Sequence, residues 1–252
     1  MRCNGSKRIL SLGTLFPFLL SLVLVACSAE EKKSDTPEGA FAIAQEFDQN
    51  ERYEEAIRRY QEVKNKYPYS KFAVQAELAI ADAYFKEESY PEAQVSYQTF
   101  KELHPKHANI DYVTYRLAMS FYNQLPETID RDLSLSQNAM TYFDELVAHY
   151  PNSPHVAEAK EKKIDCLKKL AGKEEYIGDF YYIRGKYDSA LGRYEQLLKL
   201  YANLGFDAKA LSRAAICAGR TGELERARGF LGRLKKEFPD SSELAEAQRE
   251  VH

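Results

Sequence analysis

The stretches Tyr53-Glu-Glu-Ala56-x3-Tyr60-x2-Val63 and Tyr90-Pro-Glu-Ala93-x3-Tyr97-x2-Phe100 are two copies of one frame, set 37 residues apart. Twelve residues after each alanine comes a proline, Pro68 and then Pro105. The frame returns at Ala139, Phe143, Leu146 and Pro151. It returns again at Ala190, Tyr194 and Leu197, with Ala202 in the proline slot, and at Ala227, Leu231, Leu234 and Pro239. Twelve residues before each alanine stands a small residue: Ala44, Ala81, Gly178 and Ala215, with Ala118 in the third copy once nine extra residues are allowed. Small residues on paired helices let their backbones approach, apolar residues three and four apart line a buried stripe, and proline stops the second helix.

The slots fall at 68, 105, 151, 202 and 239, so the spacing is uneven. Nine extra residues in the third copy read as a loop over Gln124–Leu133. The fourth holds fourteen more, nearly four helical turns. With no proline between 156 and 184, they predict one long helix with Gly172 as its weak point. Helix–turn–helix units of this kind resemble the tetratricopeptide repeat, whose stacked units form a superhelix. The expectation is an all-α, superhelical solenoid of five tetratricopeptide-like repeats, with a loop insert in repeat 3 and a long helix entering repeat 4.

Residues 1–26 do not belong to that array. Arg2, Lys7 and Arg8 precede an uncharged apolar run, Ile9 to Val25, too short to span a bilayer comfortably and interrupted by Pro17. It reads as a signal peptide. Its end, Leu24-Val-Ala-Cys27, resembles the bacterial lipobox, which implies removal of 1–26, acylation of Cys27 and anchoring by two or more chains. The alternative is an ordinary signal peptide with a chance cysteine. Ser28 in place of an aspartate resembles the pattern sorted to the outer membrane. Residues 27–37 then form a lipidated, flexible tether, and 38–252 the repeat domain.

Lys and Arg number 35 against 38 Asp and Glu, and removing the signal takes three basic residues, so the mature chain carries a net charge of −6. Without a basic excess, nucleic acid is excluded as a first partner. Cys166 and Cys217 sit in separate apolar patterns and read as two buried thiols or, in an oxidising compartment, a disulfide. None of His104, His107, His149, His155 and His252 pairs with another ligand at metal spacing. No nucleophile elbow, phosphate loop or zinc-helix motif occurs, so neither an enzyme nor a cofactor is expected.

The lipobox, the Tyr-Pro repeat ends, the Asp130-Arg131-Asp132 insert, Tyr150-Pro-Asn-Ser153 and the long stretch into Tyr181-Tyr182-x-x-Gly185 together resemble the BamD (ComL-like) family of outer-membrane assembly lipoproteins. That resemblance implies a non-enzymatic scaffold on the periplasmic face of the outer membrane. Its implied partners are the barrel subunit of the assembly machine, other assembly lipoproteins and unfolded outer-membrane proteins. Mapped from the family, the groove-facing positions are Phe41, Gln45 and Asp48, then Leu78, Asp82 and Phe85, then Tyr115, Met119, Tyr122 and Asn123. Each either faces a peptide groove or packs between repeats. Arg193 matches an arginine implicated in docking on the barrel subunit, or else pairs locally near Asp188 or Glu195. A pilotin-type lipoprotein for pilus or secretin assembly is the alternative role. A repeat protein coordinating peptidoglycan synthesis is a third.

Overall fold

The computed structural model describes residues 35–251, and among them every regular element is an α-helix. Cys27 and the apolar stretch before it lie outside these residues. The helices come in sequential antiparallel pairs. They are α1 (Pro37–Gln49) with α2 (Tyr53–Lys66), α3 (Lys71–Lys86) with α4 (Tyr90–Leu103), and α5 (Ile110–Asn123) with α6 (Leu135–His149). Then follow α7 (Val156–Ile183) with α8 (Tyr187–Leu200), α9 (Asp207–Arg220) with α10 (Leu224–Glu237), and a closing α11 (Ser242–Glu250) against α9.

The small residues of the frame sit where it needs them. Ala44, Ala81, Ala118 and Ala215 on the first helices, and Ala56, Ala93, Ala139, Ala190 and Ala227 on the second, are all completely buried. At Gly178 an added Cβ would lie 2.8 Å from the Tyr194 ring, so the α7–α8 contact is closer than even alanine permits. Each second helix ends on a residue with φ between −127° and −137°: Tyr67, His104, Tyr150, Tyr201 and Phe238. A following proline forbids the α region at that residue. Tyr201, followed by Ala202, adopts nearly the same turn without one. In every pair but the third, the turn between the paired helices puts one residue in the left-handed region five before the frame alanine. Glu51 and Glu88 fill it in the first two repeats, Gly185 and Gly222 in the last two.

α1 begins at Pro37, one residue before the expected start of the repeat domain: Thr36 caps it, its hydroxyl accepting from the Gly39 amide at 3.1 Å, and Pro37 occupies the first turn, where its missing N–H costs nothing. Gly172 does not break α7. It is buried against the insert loop, where an added Cβ would lie 3.5 Å from Ile129 Cδ1, and the neighbouring Lys173 donates to the Arg131 carbonyl at 2.7 Å. The two irregular spacings therefore meet: the loop after α5 lies on the added turns of α7. Cys166 and Cys217 are free, buried in different clusters, and burial pushes their thiols up to about 11 and about 12.

Candidate functional site

Apart from Asn123, five after Ala118, the groove positions sit three before, one after and four after the frame's small residue, on α1, α3 and α5, and so share one helical face. At its centre is Asp82. It accepts hydrogen bonds from the Tyr97 hydroxyl at 2.5 Å and the Tyr112 hydroxyl at 2.8 Å. Arg116 Nε donates to the Tyr112 oxygen at 3.0 Å, and its guanidinium lies 4.4 Å above the Phe85 ring. Next to it, Lys86 binds both carboxylate oxygens of Asp48 at 2.8 Å. Asp48 with Lys86, Asp82 with Tyr112, and Phe85 with Arg116 thus form a strip of charges and rings across α1, α3 and α5. Burial raises the Asp82 carboxyl above its ordinary value, against the pull of its two tyrosine donors and Arg116. Burial beside that carboxylate pushes the Tyr112 phenol up to about 12.

The other positions divide. Gln45 is exposed, in the place that Asp82 holds one repeat later, and Leu78 and Asn123 are half-buried. Phe41, Tyr115 and Met119 are instead core residues, 9%, 6% and 8% exposed. Phe41 packs on Tyr60 and Phe72. Tyr115 is stacked on His155 with ring centroids 4.4 Å apart, and Tyr122, half-buried, donates to Asp165 at 2.8 Å. His155 caps α7 and Asp165 lies within it, so the overlong helix covers the third repeat's face and leaves the first two open.

Arg193 lies on α8 and donates to Glu174 Oε2 on α7 at 3.1 Å. Its side chain is 39% exposed, that of Glu174 only 14%. The local partner is thus a carboxylate nineteen residues back in sequence, not one on its own helix.

One constellation escaped the sequence reading. Ninety-seven residues beyond Asp82, Asp179 accepts from the Tyr194 hydroxyl at 2.6 Å and from Lys209 Nζ at 2.6 Å. Tyr194 corresponds to Tyr97 and Lys209 to Tyr112 at the same interval, while Arg213 lies 4.2 Å over the Tyr182 ring as Arg116 lies over Phe85. The edge-on pair Phe85–Tyr90 recurs as Tyr182–Tyr187. The joint between repeats 2 and 3 is therefore built again between repeats 4 and 5. The signal was present in sequence: an aspartate after the small residue in copies two and four, and an arginine two before it in copies three and five.

Among the described residues no group of three or more His, Cys, Asp or Glu is arranged to hold a metal ion, and no helix is long and apolar enough to cross a membrane.

Comparison with known proteins places this architecture. The chain is similar to the outer membrane protein assembly factor BamD of Neisseria meningitidis serogroup A, 28% identical over 245 residues that cover 90% of this chain and 92% of the relative. It is similar to BamD of Rickettsia prowazekii at 26% identity over 237 residues, covering 92% and 94%. Among solved structures, the TPR2AB domain of yeast Sti1 overlaps 84% of this chain and 83% of its own at 14% identity and a TM-score of 0.44. The type IV pilus biogenesis factor PilW overlaps 86% and 100% at 16% identity and a TM-score of 0.38. Overlap this loose says nothing of function. A family model described as "YfiO: Outer membrane lipoprotein" matches residues 33–229, reaching into α10. That match spans well over half of the sequence, and the chain belongs to the YfiO family of outer membrane lipoproteins.

Proposed function

We propose that this chain is a non-enzymatic scaffold of outer-membrane β-barrel protein assembly, anchored through acylated Cys27 on the periplasmic face of the outer membrane. The observation that carries the reading is the end-to-end similarity to BamD assembly factors, about nine-tenths of both chains. In this reading the open face of the first two repeats, with Gln45, Asp48, Leu78, Asp82 and Phe85, receives an extended segment of an unfolded barrel precursor. An aromatic and polar strip of this kind suits side-chain anchors with backbone hydrogen bonding between them. Arg193 docks the barrel subunit: its guanidinium has donors left beyond the one given to Glu174.

The test is a charge exchange. Arg193→Glu is expected to abolish co-purification with the barrel subunit from solubilised envelopes. The double change Arg193→Glu with Glu174→Arg rebuilds the internal pair, and co-purification stays lost. Recovery in the double variant would assign Arg193 a local role instead. The anchor has its own check, since Cys27→Ala is expected to leave the chain unprocessed and absent from the outer-membrane fraction.

A further inference from the structure

Two neighbouring joints of the array carry the same cleft with different chemistry. Between α2 and α4, over α3, lies a cleft of about 270 Å³ bordered by Gln61, Lys64, Ile80 and Phe100. Between α4 and α6, over α5, lies one of about 260 Å³ bordered by Gln98, Lys101 and Leu117, the residues 37 positions further on from Gln61, Lys64 and Ile80. In the second cleft the chain supplies its own filling. Lys101 Nζ is 2.7 Å from the Glu145 carboxylate and 5.2 Å from the Tyr142 ring, and the Tyr142 hydroxyl donates to Gln98 Oε1 at 3.3 Å.

In the first cleft the filling is missing. The frame positions of Tyr142 and Glu145 are Ser96 and Thr99 on α4. The Ser96 hydroxyl is turned back onto the Glu92 carbonyl at 2.8 Å. Among the described residues Lys64 and Gln61 have neither ion pair nor hydrogen bond. Glu77, the one carboxylate bordering the cleft, is held by His104 at 2.7 Å. Val95 and Leu103 stand on the rim, each 62% exposed. An unpaired ammonium half-sunk beside uncovered apolar surface is a site of unmet complementarity.

We propose that the α2–α4 cleft docks a segment of a partner protein bearing an aromatic side chain with a carboxylate one helical turn beyond it. The ring covers Val95 and Leu103, and the carboxylate pairs with Lys64, as Tyr142 and Glu145 do for Lys101 in the next joint. Ile80 and Tyr84 face this cleft, whereas Leu78, Asp82 and Phe85 lie roughly two-fifths of a turn round α3 at about 100° per residue. The cleft is therefore a second surface, and it does not rest on the reading of the first-helix face.

The experiment measures fluorescence anisotropy of a labelled alanine-rich helical peptide containing Tyr-Ala-Ala-Glu against the full chain in detergent. Lys64→Glu is expected to weaken binding by about tenfold or more, and to bind a Tyr-Ala-Ala-Lys peptide in its place. Ser96→Tyr with Thr99→Glu, which supplies the filling from the chain itself, is expected to abolish binding with the melting temperature unchanged or raised. If that double variant unfolds, Lys64→Glu decides alone. No binding of the acidic peptide up to about 1 mM, or affinity indifferent to Lys64→Glu, overturns the proposal.

Discussion

Tyr97 reaches from α4 across to α3 and donates its hydroxyl hydrogen to Asp82 at 2.5 Å, and Tyr194 repeats the bond to Asp179 one half-array later. The carboxylate also receives a residue from the next repeat, so a single side chain ties three helices. Asp82→Leu leaves the Tyr97 and Tyr112 hydroxyls without an acceptor and is expected to cost about 1–3 kcal/mol, read by urea denaturation. Asp82→Asn keeps an acceptor and probes the charge. The folded-state carboxyl is raised above its ordinary 3.8, mainly by burial, so the stability it contributes is fully present below that value and is lost as pH rises through the raised one. The Asn variant should therefore compare better with the parent chain at pH 7 than at pH 4. A difference that does not change between those two values would show that Asp82 titrates normally.

Two glycines of α7 are expected to answer alanine with opposite signs. At Gly172 the new methyl meets Ile129 at ordinary contact distance, and better helix propensity should add about 0.5–1 kcal/mol. At Gly178 it runs into the Tyr194 ring, and overpacking should remove about 1–3 kcal/mol. Thermal melts of the two single variants, followed by circular dichroism, decide both.

Glu88 carries a φ of 63° where the corresponding fourth repeat has Gly185 at 68°. A side chain in that region costs about 1–2 kcal/mol. Glu88→Gly is expected to raise the melting temperature despite the looser unfolded chain. An unchanged or lowered melting temperature would mean the turn carries no strain.

Tyr115→Ala should lower stability by about 3–5 kcal/mol, because the ring is buried under His155. Tyr122→Ala, at a half-buried ring, should cost clearly less. Comparable melting temperatures for the two would contradict the placement of Tyr115 in the core.

The frame was legible because it is local. Small residues twelve apart, a large apolar residue four after the alanine and a stop at the proline slot are set by one helix pair, and pairs fold by near-neighbour contact. The face of the third repeat was not legible for the opposite reason. Tyr115 reads like Leu78 in sequence, and only the path of α7 back across α5 decides that the first is covered and the second is not. The insert loop and the overlong helix were each visible as departures in spacing. Their contact joins Ile129 to Gly172 across a stretch no periodicity spans.

That contact bears on how the molecule transmits force. Among the described residues α7 alone enters both of the larger buried clusters, giving Cys166 to one and Tyr181 and Tyr182 to the other. It is a single shaft between two packed blocks, and the loop seated at Gly172 and Lys173 is its collar. A pull on the last two repeats reaches the repeats before them through this shaft.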